Sequence, residues 1–339
     1  MISMKLMRYN TLITNYLAKC LELSILVWGY MQGIPLYQIP ILMALFHVGY
    51  LISANIPFMS WKKMFSGILI LIGAILLLYG FYSSDVFILS VGIVITASFI
   101  IQLKDNIKKN NPVSITTKFF SKAIGMGSAI VMMSQYKLIL LAAFLLVPLF
   151  YVYFQFQVND EKVTIVRTEF KPNVRNPMNW IQFFHHLHYF LFCYTFWALI
   201  KNIPSGYFSV LFILGWIAYY FMEKKYRKEN KSFNITSIGY GHLLSGITVL
   251  LMLLNPTNTI ILFLWFLTGL GGGTIYMLRH CKEKEHLSFF EDWGHVVGCI
   301  FAGTIVYFTD SVQLTLIISF IAALIIAVIS FFDNHKIYS

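Results

Sequence analysis

Twelve stretches of this sequence are almost wholly apolar, at about 12–31, 37–58, 65–82, 86–103, 118–134, 138–156, 181–200, 206–222, 235–254, 258–278, 290–308 and 313–332. Each has about the 17–25 residues that a helix needs to cross roughly 30 Å of hydrocarbon. Lipid offers no hydrogen bonds to the backbone, so a chain crossing it folds as helices or as a closed barrel. The stretches are continuously apolar and do not alternate, which selects helices over barrel strands. Composition agrees: 58% of the 339 residues are hydrophobic and 12% are charged, against about 25% charged in soluble domains. The expected fold class is an all-α polytopic membrane protein with twelve transmembrane helices. The first run contains Lys19 and Glu22 and lacks a small-residue cleavage site, so it reads as a helix and not as a signal peptide.

The connections alternate in charge. One set begins with Lys5 and Arg8 and closes with Lys336; it carries 22 of the 25 basic residues. The other set is QGIPLYQ, YSSD, SQYK, KNIPSG, NPTN and TDS, and it carries Lys137 and Lys201. Lys19 lies inside a span. Basic loops stay in the cytoplasm, so both termini are expected there, in the plasma membrane. The net charge of +11 is then topological, and nucleic acid is not an expected partner. Cys20, Cys193, Cys281 and Cys299 lack CxxC spacing and suggest neither disulfides nor a zinc site. The longest polar segment, 157–177, divides the chain into a six-helix half at 1–157, a cytoplasmic loop at 158–180 and a second six-helix half at 181–339. "FFSKAIGMGSAIV" (119–131) and "FFEDWGHVVGCIF" (289–301) open equivalent spans of the two halves and look like a faint repeat.

This pattern resembles the major facilitator superfamily of transporters. "PLYQIPILMALFHVGYLISANIPFMSWKKMFSG" (35–67) is similar to the second span and following loop of such carriers, with Lys62 and Lys63 at its basic end. Met59, Ser60 and Trp61 stand where the family's Gly and Asp would be. "MEKKYRKENKS" (222–232) is the equivalent loop of the second half. "WFLTGLGGGTIYM" (265–277) and "FFEDWGHVVGCIFAG" (289–303) resemble the family's tenth and eleventh spans. The resemblance implies alternating access between two halves. It also implies a cavity lined by the first, fourth, seventh and tenth spans, with the third, sixth, ninth and twelfth facing lipid.

Glu22 is the one carboxylate that the sequence places in mid-span. Such a group costs several kcal/mol in hydrocarbon unless it is paired, protonated or facing water. Burial favours its neutral form, which suits proton exchange. Lys19, one turn earlier on the same face, is the alternative explanation, as a simple neutralising partner. His185, His186 and His188 cluster at the seventh span, whereas His242, His280, His286 and His295 stand alone. The sequence reads most of these histidines as hydrated groups at cytoplasmic helix ends. His186 and His188 are the candidates for solute or proton contact, with Tyr194 from the aromatic run and Trp28 from the first span. His185 and His188 on one helix are too few for a closed metal site, so no metal and no cofactor are expected. Gly269, Gly272, Gly294 and Gly298 lie in apolar helices and read as packing or gating positions.

The expected function is proton-coupled secondary transport, with export of a hydrophobic or amphipathic small molecule or peptide. The expected partners are that solute, protons and membrane lipid, and the expected state is a monomer without enzymatic activity. A lipid-modifying histidine metalloenzyme and a non-transporting immunity or sensor protein of the same fold are the alternatives. Topology is directly testable. Cysteines introduced at Ser84, Ser205 and Asn258 should react with an impermeant thiol reagent in intact cells, and a cysteine at Lys228 should not. Outside labelling at 228 overturns the twelve-span arrangement.

Overall fold

The computed structural model describes residues 2–55, 63–110, 114–134, 145–158, 173–199, 205–228, 235–254, 257–280 and 284–332. Among them are twelve α-helices: α1 Ile2–Met31, α2 Gln38–Asn55, α3 Lys63–Ser83, α4 Val86–Asn110, α5 Ile115–Ser134, α6 Val147–Val158, α7 Pro177–Phe192, α8 Ser205–Lys228, α9 Ile235–Leu251, α10 Asn258–Gly272, α11 Lys284–Thr309 and α12 Val312–Phe332. Short 3-10 segments follow α7, α9 and α10, at Phe196–Leu199, Met252–Leu254 and Gly273–His280. Five of the described helical stretches are long and apolar enough to cross a membrane: Phe65–Ser83, Val86–Leu103, Ile235–Leu254, Asn258–Leu278 and Val312–Phe332. The chain is thus a multi-pass membrane protein. The first seven residues of the expected sixth span, 138–144, lie outside the described residues, as do 159–172 of the expected central loop.

The seventh span departs from expectation. Its helix starts early because Asn176 caps it, accepting a hydrogen bond from the Met178 amide at 3.0 Å, and Pro177 occupies the first turn. It stops at Phe192 instead of running to 200. Cys193 closes the last turn by donating its N–H to the Tyr189 carbonyl at 2.9 Å. The Thr195 hydroxyl then lies 3.2 Å from the Phe192 carbonyl and 3.0 Å from the Thr315 hydroxyl of α12. Backbone that leaves the helix inside an apolar protein needs such substitutes for its lost partners. Phe196, just beyond, stacks on Trp265 of α10 with ring centroids 4.8 Å apart.

The chain forms two compact units, Met1–Ile34 with Leu45–Thr168, and Pro35–Ala44 with Glu169–Ser339. In the first, α1 packs mainly on α5, and α3 on α4. The α3–α4 crossing is close enough to need glycine on both helices. A Cβ on Gly80 would stand 2.5 Å from the Leu89 Cα, and one on Gly92 would stand 2.6 Å from the Leu77 Cα. The outer face of α3 exposes Ile68, Leu71, Ile75, Tyr79 and Tyr82, an apolar stripe at helical spacing that suits contact with acyl chains.

In the second unit α7 packs on α11 and α12, α9 on α12 and α10, and α10 on α8. Ile181, Ile235, Ile238, Ile275, Leu278 and Ile326 form one buried cluster there. Tyr37, in the short α1–α2 connection, belongs to this unit too, and its ring lies 5.0 Å from that of Tyr307 on α11.

Glycine substitutions separate close packing from mere flexibility. Gly92→Ala should lower stability by about 1–3 kcal/mol, because the new methyl meets backbone that cannot yield. Gly127 of α5 has nothing within 4 Å of its would-be Cβ. Gly127→Ala should therefore raise stability by about 0.5–1 kcal/mol through helix propensity alone. Thermal unfolding in detergent measures both, and equal effects at the two positions would contradict the crossing described here.

Candidate functional site

Lys19 and Glu22 form an ion pair within one turn of α1, Lys19 Nζ donating to Glu22 Oε2. Their side chains keep 17% and 10% of their exposure, and Leu17, Cys20 and Leu21 beside them are fully buried. The carboxylate singled out by the sequence thus has a cation on its own helix. Trp28, two turns further on, is buried and donates its indole N–H to the Phe81 carbonyl of α3 at 3.2 Å. A second buried carboxylate, Glu223, lies near the end of α8, where sequence reasoning saw only a loop.

The histidines overturn the expectation of hydrated helix ends. His185, His188 and His242 are 2%, 0% and 0% exposed. Hydrogen bonds between them and their neighbours make this tolerable, since each replaces a bond to water. His242 Nδ1–H donates to the Ile238 carbonyl at 2.8 Å. That fixes the tautomer of the neutral ring and leaves Nε2 to accept. His185 Nδ1–H fills it, at 2.8 Å. The Tyr219 hydroxyl of α8 then donates to His185 Nε2 at 3.3 Å. Three helices are linked by one run of bonds.

His188 makes a second link. Its Nδ1–H donates to the Ser319 carbonyl of α12 at 2.9 Å, and the Ser319 hydroxyl donates back to the His188 carbonyl at 2.8 Å. The Ser245 hydroxyl of α9 donates to His188 Nε2 at 2.8 Å. Tyr189 gives its hydroxyl to the Thr268 carbonyl of α10 at 2.5 Å. The HHLHY run therefore acts as a hub, with His185, His188 and Tyr189 each tied to a different set of helices. Tyr194 lies in the turn after α7, buried, with its ring 5.4 Å from Phe190.

His186 points away from this hub, toward α11. Its Nε2 lies 3.7 Å from Glu291 Oε1, and its ring centroid lies 4.1 Å from that of His295. Gln182 brings its amide nitrogen to 3.1 Å from His186 Nε2 and 3.3 Å from Glu291 Oε2. One ligand atom from each of His186, Glu291 and His295 fits within 4.8 Å of the others, a group able to hold a metal ion. Sequence reasoning sought histidine boxes and passed over this group. The available signal was the pair of i, i+4 spacings, Gln182 with His186 and Glu291 with His295, each on one helix face.

The four glycines named from the sequence all lie at helix contacts. A Cβ on Gly294 would stand 2.6 Å from the Phe183 carbonyl oxygen and 2.9 Å from the His186 Cβ, and one on Gly298 would stand 2.9 Å from the Phe190 Cβ. These two positions bring α11 against α7. Gly269 lies against Ala218 and Gly215 of α8, and Gly272 against the Tyr189 ring.

No family model and no curated protein matches the chain. Among solved structures, a mutant of the nucleoside transporter NupG is similar with a TM-score of 0.68 and 14% identity, covering 96% of this chain and 99% of that one. A bacterial homologue of the iron transporter ferroportin, in its outward-facing state, is similar with a TM-score of 0.60 and 12% identity over 97% and 100%. The same homologue soaked with iron gives a TM-score of 0.60 and 11% identity over 96% and 98%. At these identities the likeness is one of fold alone.

The buried histidine run is testable by a double-mutant cycle. His242→Leu removes the acceptor for His185 Nδ1–H and should cost about 1–3 kcal/mol. His185→Phe combined with His242→Leu should cost less than the sum of the two changes, by about 0.5–3 kcal/mol. Strict additivity in thermal or denaturant unfolding would show that the two rings do not share a bond.

Proposed function

We propose that this chain is a secondary active transporter that moves a small solute by alternating access of two six-helix halves, 1–157 and 181–339, joined through 158–180. The observation that carries this is the full-length match to solute transporters, with 96–97% of this chain and 98–100% of theirs covered. A likeness of that extent supports the reading along nearly the whole of the sequence.

In this reading Glu22 couples proton movement, and Lys19 is the switch partner that holds it while it is charged. A carboxylate this buried favours losing either its charge or its isolation. Protonation of Glu22 would release the Lys19 ammonium, which has a long stem that can reach toward water. His188 has an internal role, since both of its ring nitrogens are spent on α9 and α12. Solute contact is assigned to aromatic residues of the seventh span, whose Phe192 and Phe196 are buried against Trp265 here and would meet solute only in a state that parts them; such a lining suits a hydrophobic or amphipathic molecule. A nucleoside, with its flat base, is such a solute, and one solved structure similar to this chain is a nucleoside transporter. Export into the surroundings of a cell, across its plasma membrane, is the favoured direction.

The test uses the full chain in proteoliposomes with a pH indicator trapped inside. A panel of nucleosides, amphipathic organic cations and short apolar peptides is added in turn. At least one should drive proton flux, and Glu22→Gln should abolish that flux while the variant still inserts and folds. Glu22→Gln should also lower stability by about 1–3 kcal/mol, with Lys19→Met in the same chain restoring it. Undiminished solute-driven proton flux in the Glu22→Gln variant would defeat the coupling assignment. A complete absence of solute movement across the panel, with correctly inserted protein, would count against the transporter reading itself.

A further inference from the structure

The geometry points to a divalent transition-metal site at His186, Glu291 and His295, inside the second unit. Two imidazoles and one carboxylate form a donor set suited to zinc or ferrous iron. Calcium and magnesium prefer all-oxygen surroundings. Three protein ligands leave a fourth coordination position for water or another group.

The distances fit with little movement. A tetrahedral ion with bonds of about 2.0–2.2 Å holds its ligand atoms roughly 3.3–3.6 Å apart. His186 Nε2 and Glu291 Oε1 are 3.7 Å apart already. The whole group lies within 4.8 Å, so closing on an ion needs a shift of about 1 Å. Glu291 can supply it, because 42% of its side chain is exposed.

The helix frame presets the rest. Gly294, between Glu291 and His295 in sequence, lies where a Cβ would stand 2.9 Å from the His186 Cβ. The ligand-bearing turns of α7 and α11 are therefore brought together by backbone packing and not by side-chain reach, as a preorganised site requires. Gln182 adds an outer contact. Its amide nitrogen donates to Glu291 Oε2 and also faces His186 Nε2. The first bond leaves Oε1 directed at His186, and the second occupies the Nε2 lone pair, which turns from Gln182 to the ion when one binds. Outer contacts of this type orient metal ligands. An ordinary His186–Glu291 ion pair would account for two of the three members, whereas the third, His295, also brings its ring centroid to 4.1 Å from that of His186.

Binding is measured without transport, so its failure leaves the transporter reading untouched. Purified full-length protein, stripped with chelator, is titrated with Zn²⁺ by calorimetry and with Co²⁺ by visible absorption. One Zn²⁺ per chain is expected, and Co²⁺ should show the intense visible bands of a tetrahedral site. Gln182→Ala should weaken Zn²⁺ binding about 10-fold, and His295→Gln by at least about 100-fold. Glu291→Gln, at a partly exposed position, keeps the fold and should also weaken binding by at least about 100-fold. Thermal unfolding in chelator confirms that each variant is folded. Zn²⁺ held equally well by His186→Gln/His295→Gln, meaning capture by other histidines, overturns the site. So does wild-type protein that binds no stoichiometric Zn²⁺.

Discussion

Water is missing from the hydrocarbon that surrounds most of this chain, so each polar group there must find its partner within the protein. The consequences run through every element described. Backbone groups are satisfied within helices, and where α7 ends at Phe192 the hydroxyls of Thr195 and Thr315 stand in for the missing turn. Lys19 and Glu22 are placed one turn apart and neutralise each other. The rings of His185, His188 and His242 are buried only because carbonyls, hydroxyls and other rings take up their nitrogens.

The same absence removes the usual reason for helices to associate. Lipid tails are as apolar as leucine, so helices gain by fitting closely and by bonding to one another. Both devices are present. Gly80 and Gly92 let α3 and α4 touch backbone to backbone, and Gly294 and Gly298 do so for α11 on α7. The bonded histidines then tie α7 to α8, α9 and α12. Close packing brings the helices together, and the polar ties select their rotation about their own axes.

Helices and their order were legible because hydropathy is a local property, and each span can be read without knowing its neighbours. The glycines were legible as packing positions for the same reason. The partners of the histidines were not. His242 and His295 looked solitary because the residues that meet them, His185 and His186, lie 57 and 109 positions earlier in the sequence. Burial of Glu223 was hidden because charge near a helix end usually marks water. The break in α7 was masked by aromatic residues that continue past it without interruption, and hydropathy cannot distinguish a ring in a helix from a ring in a turn.

The run from Tyr219 through His185 and His242 to the Ile238 carbonyl has a fixed polarity. Its last atom, a carbonyl oxygen, can accept a hydrogen bond but has no proton to give. A wire that conducts protons must reverse all its bonds after each passage and then reset, and this one is anchored at the end where reversal would begin. It can hold one arrangement only. Such a run behaves like a keyed joint: it tells α7, α8 and α9 which way to face.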